Sequence, residues 1–388
     1  MTCELSEKSK KKVAHVITML ELGGAQQNTL YTVSHLNKEH YEVYLVAHDK
    51  GFLVKEAKKL TGFHTLFLPA LRRKIRPWSD VVALYQLYRF FRREKIDIVH
   101  THSSKAGVLG RVAAWLARVP VIIHTIHGFG FHDSQSRIVK KIYVILERVC
   151  ARISDQLVAV AYDNIRKGLQ EGIGKRDLYR VIRSGIDIKR FSRVSGMINQ
   201  ELGIPINAKL IGQIGNFKPQ KNPLDFVRVA ALVAKQVPDS YFLMVGDGIL
   251  RPDIERLIRE LGLDDQVKLT GWRQDVEVLI QHLDVLALTS RWEGLPRVYL
   301  QAMAGGKPVV GTAVDGGPEA IRHGENGYML PVGDTQGMAD KISYLLTHDA
   351  VRRKMGERGR ELVREFDIDL MVRQQEDMYK ELSEMTKK

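Results

Sequence analysis

With 388 residues, 44% hydrophobic and 27% charged, the chain has the balance of an ordinary globular protein, which excludes collagen-like, coiled-coil and low-complexity classes. A single core rarely grows past about 250–300 residues, so we expect two domains. The net charge of +14 is uneven, since residues 1–190 hold 33 of the 59 Lys and Arg residues but only 17 of the 45 Asp and Glu residues. A basic half indicates an anionic partner (a phosphate, a nucleic acid or an anionic membrane), unless the charge only solubilises the surface.

The chain begins with about a dozen residues that lack the apolar stretch of a signal peptide. No stretch approaches the roughly 20 apolar residues needed to cross a bilayer. The two cysteines, Cys3 and Cys150, are too few for a disulfide framework. These features predict a cytoplasmic protein.

Short apolar runs rich in β-branched residues alternate with amphipathic segments in the first half of the chain. They predict strands at 13–20, 42–47, 96–102, 121–127 and 156–161, and helices at 82–93 and 108–117. Such alternation is typical of βαβ units and a parallel sheet. The pattern then restarts, with strands predicted at 210–215, 241–245, 267–270, 285–289 and 308–311 and a last helix at 369–382.

The restart predicts an α/β protein with two doubly wound, Rossmann-like domains. The first spans residues 1–190 with a returning segment at 366–388, and the second spans residues 191–365. Ligands of such sheets bind beyond the carboxyl ends of the strands, where helix N-termini point. Candidate site residues are therefore sought directly after the predicted strands.

Gly23 and Gly24 follow the first strand. A glycine pair there allows a tight turn and a close approach of backbone N–H groups to a phosphate or a sugar. A plain sheet-to-helix turn is an equally good interpretation. The pair is not the G-x-G-x-x-G dinucleotide fingerprint, which the chain lacks, so a classical dehydrogenase is disfavoured.

Two further segments of the first half follow strand ends. In the first, Ser103, Lys105 and Arg111 are predicted to bind the acceptor. Ser103 can also cap a helix, and Lys105 and Arg111 offer charges to an anionic acceptor. In the second, His127 stands beside a glycine and can reach into a cleft. A lone histidine is more often structural than catalytic, so both roles stay open for His127.

In the second half, Lys218 and Lys221 follow the first strand. Two lysines three residues apart beside a glycine turn suit a diphosphate leaving group, although a solvated basic turn fits as well. Glu293 follows a later strand, and Pro296 after it suits the first turn of a helix. Glu319 follows the next strand, so two carboxylates on adjacent loops can read sugar hydroxyls.

On these segments the chain resembles family 4 of the retaining glycosyltransferases, with the GT-B fold, from residue 13 to the final helix. The most specific element runs from Glu293 to Gln301, similar to the family's E-x-x-x-x-x-x-x-E motif in its E-G-L-P form. The resemblance implies that Glu293 contacts the donor sugar and that Gln301, where the family has a second Glu, contacts the ribose. Lys221 matches the family's phosphate-binding Lys, whereas Asn216 stands where the family has an Arg.

The resemblance extends to other positions of the site. His127 matches the family's acceptor-domain His, and Gly23 with Gly24 matches its glycine loop. The turn formed by Gly316, Gly317 and Glu319 resembles the loop that contacts the donor sugar and diphosphate, and the assigned roles put the nucleotide base near Trp272 and Arg273. In the GT-B fold the two domains face each other across a cleft, and the C-terminal helix crosses back to the first domain.

The resemblance implies transfer of a hexose-type sugar, with retention, from a UDP- or GDP-linked donor to a saccharide or lipid-diphosphate-linked acceptor of a bacterial surface polysaccharide. No cofactor or metal is expected, because Lys218 and Lys221 can stabilise the leaving diphosphate as a divalent ion does elsewhere. The basic, aromatic segment at 72–93 predicts peripheral contact with the anionic cytoplasmic face of the inner membrane. No nucleic-acid motif accompanies the charge, so nucleic-acid binding is not expected.

Two other functions stay open at this point. A non-hydrolysing sugar-nucleotide epimerase of related fold would bind the same donor without an acceptor. A non-catalytic scaffold that binds nucleotide sugars would explain the departures at Asn216 and Gln301.

Overall fold

The computed structural model describes residues 10–131, 135–192 and 198–386, so Cys3 lies outside the described residues. Contacts divide the chain into two compact units. Unit 1 runs to Ser184 and resumes at Asp369, and unit 2 is Gly185–Ile368. The boundaries between the two units thus lie within six residues of those expected from the sequence pattern.

Unit 1 is built on a parallel sheet with helices on both faces. Its strands are β1 (Lys11–Val16), β2 (Tyr41–Ala47), β3 (His64–Phe67), β4 (Ile98–His102), β5 (Val121–Ile126), β6 (Gln156–Ala159) and β7 (Tyr179–Val181). The helices between them are α1 (Gly24–His35), α2 (Val54–Lys59), α3 (Pro77–Glu94), α4 (Ser104–Leu116), α5 (Arg137–Ala151) and α6 (Tyr162–Gln170). The strands lie in the order β3-β2-β1-β4-β5-β6-β7.

Successive side chains of the central strands of unit 1 point alternately to an apolar core on one face of the sheet and to a cluster of histidines on the other. Val16 of β1 and Val99 of β4 belong to an apolar core with Leu87 and Phe91 of α3. Helix α3 packs against α4, and α4 packs against α5. Because successive side chains of a strand point to opposite faces, His15 and His100 lie on the other face of the sheet.

Unit 2 repeats the design. Its strands are β8 (Lys209–Ile214), β9 (Ser240–Val245), β10 (Val267–Gly271), β11 (Val285–Leu288), β12 (Val309–Thr312) and β13 (Gly327–Leu330), in the order β10-β9-β8-β11-β12-β13. Its helices are α7 (Ile188–Ser192), α8 (Asn199–Leu202), α9 (Pro223–Gln236), α10 (Arg251–Glu260), α11 (Val276–His282), α12 (Arg297–Ala304), α13 (Gly317–Ala320), α14 (Thr335–Thr347) and α15 (Asp349–Leu362). An apolar core joins β8, β9 and α9 through Ile211, Phe242 and Phe226.

The last helix, α16 (Ile368–Met385), returns to unit 1. Its Tyr379 is fully buried, and the hydroxyl lies 2.5 Å from Nδ1 of His100. Gln375 donates to Thr32 of α1 over 3.4 Å. Helix α16 is thus part of the face of unit 1 that carries His15 and His100.

The two segments that pass between the units pair with each other inside unit 2. The Ile186 N–H donates to the Phe366 carbonyl (2.9 Å), and the Ile368 N–H donates to the Ile186 carbonyl (3.1 Å). A Cβ on Gly185 would lie 2.5 Å from Cα of Ile368, so the close approach requires glycine.

The predicted parallel sheets are confirmed, and every predicted strand overlaps a strand of the structure. Three strands that the pattern did not predict, β3, β7 and β13, all stand at sheet edges. Across the described residues, no helix combines the length and the apolar character that crossing a membrane requires.

Candidate functional site

Each sheet reverses its winding direction at one point, and such switch points are where doubly wound sheets bind ligands. In unit 2 the switch lies between β8 and β11, and in unit 1 it lies between β1 and β4. The loops that follow these four strands carry six of the residues singled out by the sequence: Gly23, Ser103, Asn216, Lys218, Lys221 and Glu293.

Across the switch point of unit 2, Lys221 and Glu293 form an ion pair. Lys221 follows β8 and Glu293 follows β11, yet Nζ of the lysine donates directly to Oε1 of the glutamate. The Glu293 side chain is only 7% exposed and that of Lys221 17%. Ser290 donates a second hydrogen bond to the same carboxylate oxygen over 2.7 Å. The structure thus joins two predicted site residues that are 72 positions apart.

Backbone hydrogen bonds hold the surrounding loops in one arrangement. The Arg291 N–H donates to the Gln220 carbonyl (2.8 Å), and the Gln220 side chain donates to the Trp292 carbonyl (3.0 Å). The Gly316 N–H donates to the Gly294 carbonyl over 2.9 Å. Asp315 accepts from the Glu293 N–H. Hydrogen bonds therefore connect the loops after β8, β11 and β12 around Glu293.

The turn that carries Asn216 packs tightly against the loop after β9. A Cβ on Gly246 would lie 2.0 Å from the Gly215 carbonyl oxygen, and φ of Gly246 is 135°, so this contact needs glycine. The Phe217 N–H donates to the Asp247 carbonyl over 2.9 Å. Asn216 itself is exposed at the strand end.

The other predicted residues of unit 2 lie on loops and helices that follow its strands. Lys218 is half-buried in the loop after β8, and Gln301 is half-buried on α12. Gly316 precedes α13 and Gly317 begins it, while Glu319 lies within that helix.

Trp272 and Arg273 follow β10, two strands from the switch point. Trp272 is 43% exposed. Arg273 forms ion pairs with Asp275 (2.6 Å) and with Glu201. The hydrogen bonds that the guanidinium donates to Asp275 and Glu201 raise its pKa, so its charge is already matched within unit 2.

In unit 1 a hydroxyl pair spans the switch point. The Thr18 hydroxyl, after β1, lies 2.8 Å from the Ser103 hydroxyl, after β4. Ser103 has a left-handed backbone (φ 64°) directly before α4. Gly23 stands before α1, whose first residue is Gly24. Its φ of −165° is extended, so the backbone there does not itself require glycine.

Two of the predicted acceptor-binding residues are engaged inside unit 1. Arg111 is fully buried, pairs with Glu147 over 2.7 Å and donates to the Gly107 carbonyl over 2.8 Å. The acceptor contact expected for Arg111 is therefore wrong, because the guanidinium ties α4 to α5. Lys105 pairs with Asp80 (2.5 Å) and donates to the Lys74 carbonyl (2.7 Å), which directs its charge to the start of α3.

His127 follows β5 and belongs to a group of histidines. Its Nε2 lies 3.2 Å from Nδ1 of His102. Burial lowers the pKa of His100 and His102 well below the usual value, and that of His15 to about 3. The ligand nitrogens of these last three histidines lie within 4.8 Å of one another, near enough to hold a metal ion.

Several residues that build the site were not singled out from the sequence. Ser290 and Asp315 fix Glu293, and Thr18 fixes Ser103. Ser290 lies three residues before Glu293, and Asp315 lies directly before Gly316, so both are close in sequence to predicted site residues. The interlocking glycine turn after β9 explains Gly246 and Gly248, which match no known fingerprint.

Comparison with known proteins identifies the family. Residues 22–190 match the family model described as Glycosyltransferase Family 4, and residues 196–362 match Glycosyl transferases group 1. The chain is 32% identical over 381 residues to the UDP-Gal:alpha-D-GlcNAc-diphosphoundecaprenol alpha-1,3-galactosyltransferase of Escherichia coli, which covers 96% of this chain and 98% of that protein. It is 29% identical over 355 residues to the N-acetyl-alpha-D-glucosaminyl L-malate synthase of Bacillus anthracis, covering 89% and 90%.

Among solved structures, the crystal structure of Anabaena HepE in complex with UDP and glucose has a TM-score of 0.82 at 20% identity, covering 96% of this chain and 100% of that one. This likeness confirms the predicted GT-B fold class with its two Rossmann-like domains. The two family models, together with the close coverage of the galactosyltransferase, confirm the predicted family. The chain therefore belongs to glycosyltransferase family 4 and is a glycosyltransferase.

Proposed function

We propose that this enzyme transfers a hexose-type sugar from a nucleoside-diphosphate sugar to a saccharide or lipid-diphosphate-linked saccharide in bacterial polysaccharide synthesis. The ion pair of Lys221 and Glu293 at the switch point of unit 2 carries the proposal, because it sets a cation and a carboxylate side by side. A UDP-linked donor is favoured over a GDP-linked one, since the Escherichia coli relative is named for UDP-Gal and HepE was crystallised with UDP.

In the proposed reaction Lys221 exchanges partners. When the donor enters, its diphosphate attracts the Lys221 ammonium away from Glu293, and the carboxylate becomes free to accept hydrogen bonds from sugar hydroxyls. The bond between C1 and the diphosphate oxygen breaks while the acceptor oxygen bonds to C1 on the same face. The acceptor proton goes to the departing diphosphate. Lys221 meets the charge that develops there, with Lys218 beside it.

We propose that this charge stabilisation replaces a metal. Lys218 and Lys221 lie in the same loop after β8, and the carboxylate that contacts Lys221, that of Glu293, is engaged by Lys221 and Ser290. His127 contacts a sugar hydroxyl, and the acceptor is received by unit 1, whose sequence carries the excess of basic residues.

A donor screen tests this proposal. The enzyme is incubated with UDP-glucose, UDP-galactose, UDP-N-acetylglucosamine or GDP-mannose, and the released nucleoside diphosphate is measured with EDTA and with added Mg²⁺ or Mn²⁺. We expect one preferred donor and equal rates with and without chelator. Strict dependence on a divalent ion would contradict the proposed mechanism. The same reactions without acceptor reveal an epimerase if the sugar of the recovered nucleotide has changed configuration.

We also propose peripheral contact with an anionic membrane. Around the start of α3, Ile75 and Trp78 are 74% and 85% exposed beside the exposed cations Arg73 and Lys74. Helix α4 packs against both α3 and α5. Helix α5 exposes a row of large apolar side chains: Ile138, Val139, Ile142, Ile145, Leu146 and Val149. Exposed cations lie among them: Arg137, Lys141 and Arg148. Apolar side chains flanked by cations are the chemistry that binds an anionic bilayer surface.

A further inference from the structure

A continuous chain of five hydrogen bonds runs through the face of unit 1 that α16 covers. It starts at the Thr125 hydroxyl, 2.6 Å from Nε2 of His100, whose Nδ1 lies 2.5 Å from the Tyr379 hydroxyl. That hydroxyl lies 3.2 Å from Nε2 of His15, and Nδ1 of His15 lies 3.0 Å from Nε2 of His102. The chain ends where Nδ1 of His102 meets Nε2 of His127 at 3.2 Å.

The sheet geometry explains why the imidazoles meet. His100 and His102 are two residues apart on β4, so they share one face, and His15 on β1 pairs in register with His100. Thr125 pairs in register with His102 on the next strand. The Tyr379 hydroxyl is supplied by α16, and His127 directly follows β5.

The inner members of this chain are uncharged. His15, His100 and Tyr379 are fully buried and His102 is 3% exposed. Burial lowers the pKa of the three imidazoles and raises that of the Tyr379 phenol, so none carries charge near neutral pH. A neutral imidazole has one N–H donor and one acceptor nitrogen. A ring that accepts a hydrogen bond at one nitrogen therefore donates one at the other, so imidazoles linked directly to each other donate in the same direction.

Counting protons links the tautomer of His127 to the direction of donation along the chain. When His127 is neutral, the six members carry one mobile proton each, and the five links use five of them. If all links donate toward His127, its Nε2 accepts and its proton sits on Nδ1. If His127 donates from Nε2 instead, either the Thr125 or the Tyr379 hydroxyl must direct its proton out of the chain, because a hydroxyl oxygen can accept two hydrogen bonds. Only the first arrangement uses both hydroxyl protons within the chain.

We propose that Tyr379, His15, His100 and His102 are positioning residues that fix which nitrogen of His127 carries its proton. This inference rests on the proposed contact of His127 with a sugar hydroxyl, because a fixed tautomer decides whether the imidazole donates to that hydroxyl or accepts from it. The first and last members of the chain, Thr125 and His127, line the same cavity of about 10 Å³ beside Asn28.

A metal ion on His15, His100 and His102 is the competing assignment. It would have to displace the hydrogen bonds that occupy both ring nitrogens of all three histidines. The chain of hydrogen bonds, by contrast, satisfies each of these buried polar atoms without an added charge.

Nitrogen-15 NMR of the histidine-labelled enzyme, recorded without substrates, tests the inference, because the two imidazole tautomers have distinct ring-nitrogen shifts. His127 is assigned by the loss of its signals in His127→Asn. We expect a single His127 tautomer in the wild type. Tyr379→Phe removes the shared hydroxyl and should convert the His127 signals to those of a mixture. Thr125→Val, at the other end of the chain, should also shift the balance, which keeps the test valid if Tyr379→Phe folds poorly.

Tyr41→Phe is the matched control, since Tyr41 is also buried and its ring lies 5.9 Å from that of Tyr379, yet its hydroxyl faces the Glu376 carbonyl at 3.4 Å. It should leave the His127 tautomer unchanged. In transfer assays Tyr379→Phe should lower kcat about fivefold, the scale of one lost hydrogen bond, while the donor KM stays within about twofold.

An unchanged His127 tautomer in both Tyr379→Phe and Thr125→Val would overturn the inference. Stoichiometric zinc in the purified enzyme, whose removal by a chelator changes the signals of His15 and His102, would support the metal site in place of this inference. A wild-type enzyme that transfers no sugar would refute the proposed function instead, and it would leave the NMR result standing.

Discussion

Lys221 is the residue on which the proposed chemistry depends most directly. Its ammonium is held against Glu293 in the loop after β8, and the proposed reaction has it meet the leaving diphosphate. The ion pair also means that Lys221 has a structural partner, so its role in catalysis needs a measurement that separates the two. Turnover and folding must be read on the same variant.

We expect Lys221→Ala to lower kcat by about two orders of magnitude or more. Loss of one preorganised charged donor to a developing anion costs roughly 2–4 kcal/mol in the transition state. The matched control is Lys235→Ala, since Lys235 is an exposed lysine of α9 in the same unit. Steady-state kinetics should show normal turnover for the control. Near-normal turnover of Lys221→Ala, with its thermal unfolding unchanged, would show that Lys221 does not stabilise the leaving diphosphate.

Gln301 tests the departure from the family motif. A carboxylate can accept hydrogen bonds from both ribose hydroxyls, whereas the amide of Gln accepts with one atom and donates with the other. We therefore expect Gln301→Glu to tighten UDP binding several-fold, about 1 kcal/mol, with turnover broadly intact. Gln301→Ala should weaken binding by a similar or larger factor. Isothermal calorimetry measures both, and unchanged affinity in both variants would show that Gln301 touches no nucleotide.

At the scale of elements, what the sequence reveals depends on the position of a strand in its sheet. Interior strands such as β9 and β11 are buried on both faces and therefore read as nearly continuous apolar runs. Strand β3 exposes His64 and Thr65, and β7 has only three residues, so neither leaves a recognisable pattern. The edges β3 and β7 were missed for this reason, and β13 is a buried strand of only four residues. The parallel doubly wound topology was nevertheless predicted.

The same contrast holds for the site. Strand-end motifs predicted Lys221 and Glu293, because topology brings the carboxyl ends of neighbouring parallel strands together. The acceptor contact predicted for Arg111 was wrong, because nothing in the sequence pattern shows that Glu147, 36 residues later, lies against it in the interior. The Thr125-to-His127 chain of hydrogen bonds was equally hidden, because its third member, Tyr379, is 279 residues from His100.

At the scale of the whole molecule, the charge is unevenly divided. The first 190 residues contain nearly twice as many basic as acidic residues, while the remainder is close to neutral. In unit 1 the exposed cations lie among exposed apolar side chains of α3 and α5. In unit 2 exposed apolar side chains also occur, at Ile206 (89%) and Ile249 (78%). Exposed apolar side chains therefore occur in both units, and the two units differ in the excess of positive charge, which only unit 1 carries.

This difference predicts that the enzyme binds anionic vesicles through unit 1. The protein should sediment with phosphatidylglycerol-containing vesicles at low salt and be released at high salt, because the attraction is electrostatic and screened. Each cation near such a surface contributes about 1 kcal/mol, so replacing Arg73 and Lys74 with Gln should weaken binding roughly thirtyfold. Trp78→Ala should weaken it further through lost apolar insertion. Ile206→Ser, a similarly exposed position in unit 2, should change nothing. Equal binding to neutral vesicles, or equal loss with Ile206→Ser, would show that the basic surface of unit 1 is not the membrane contact.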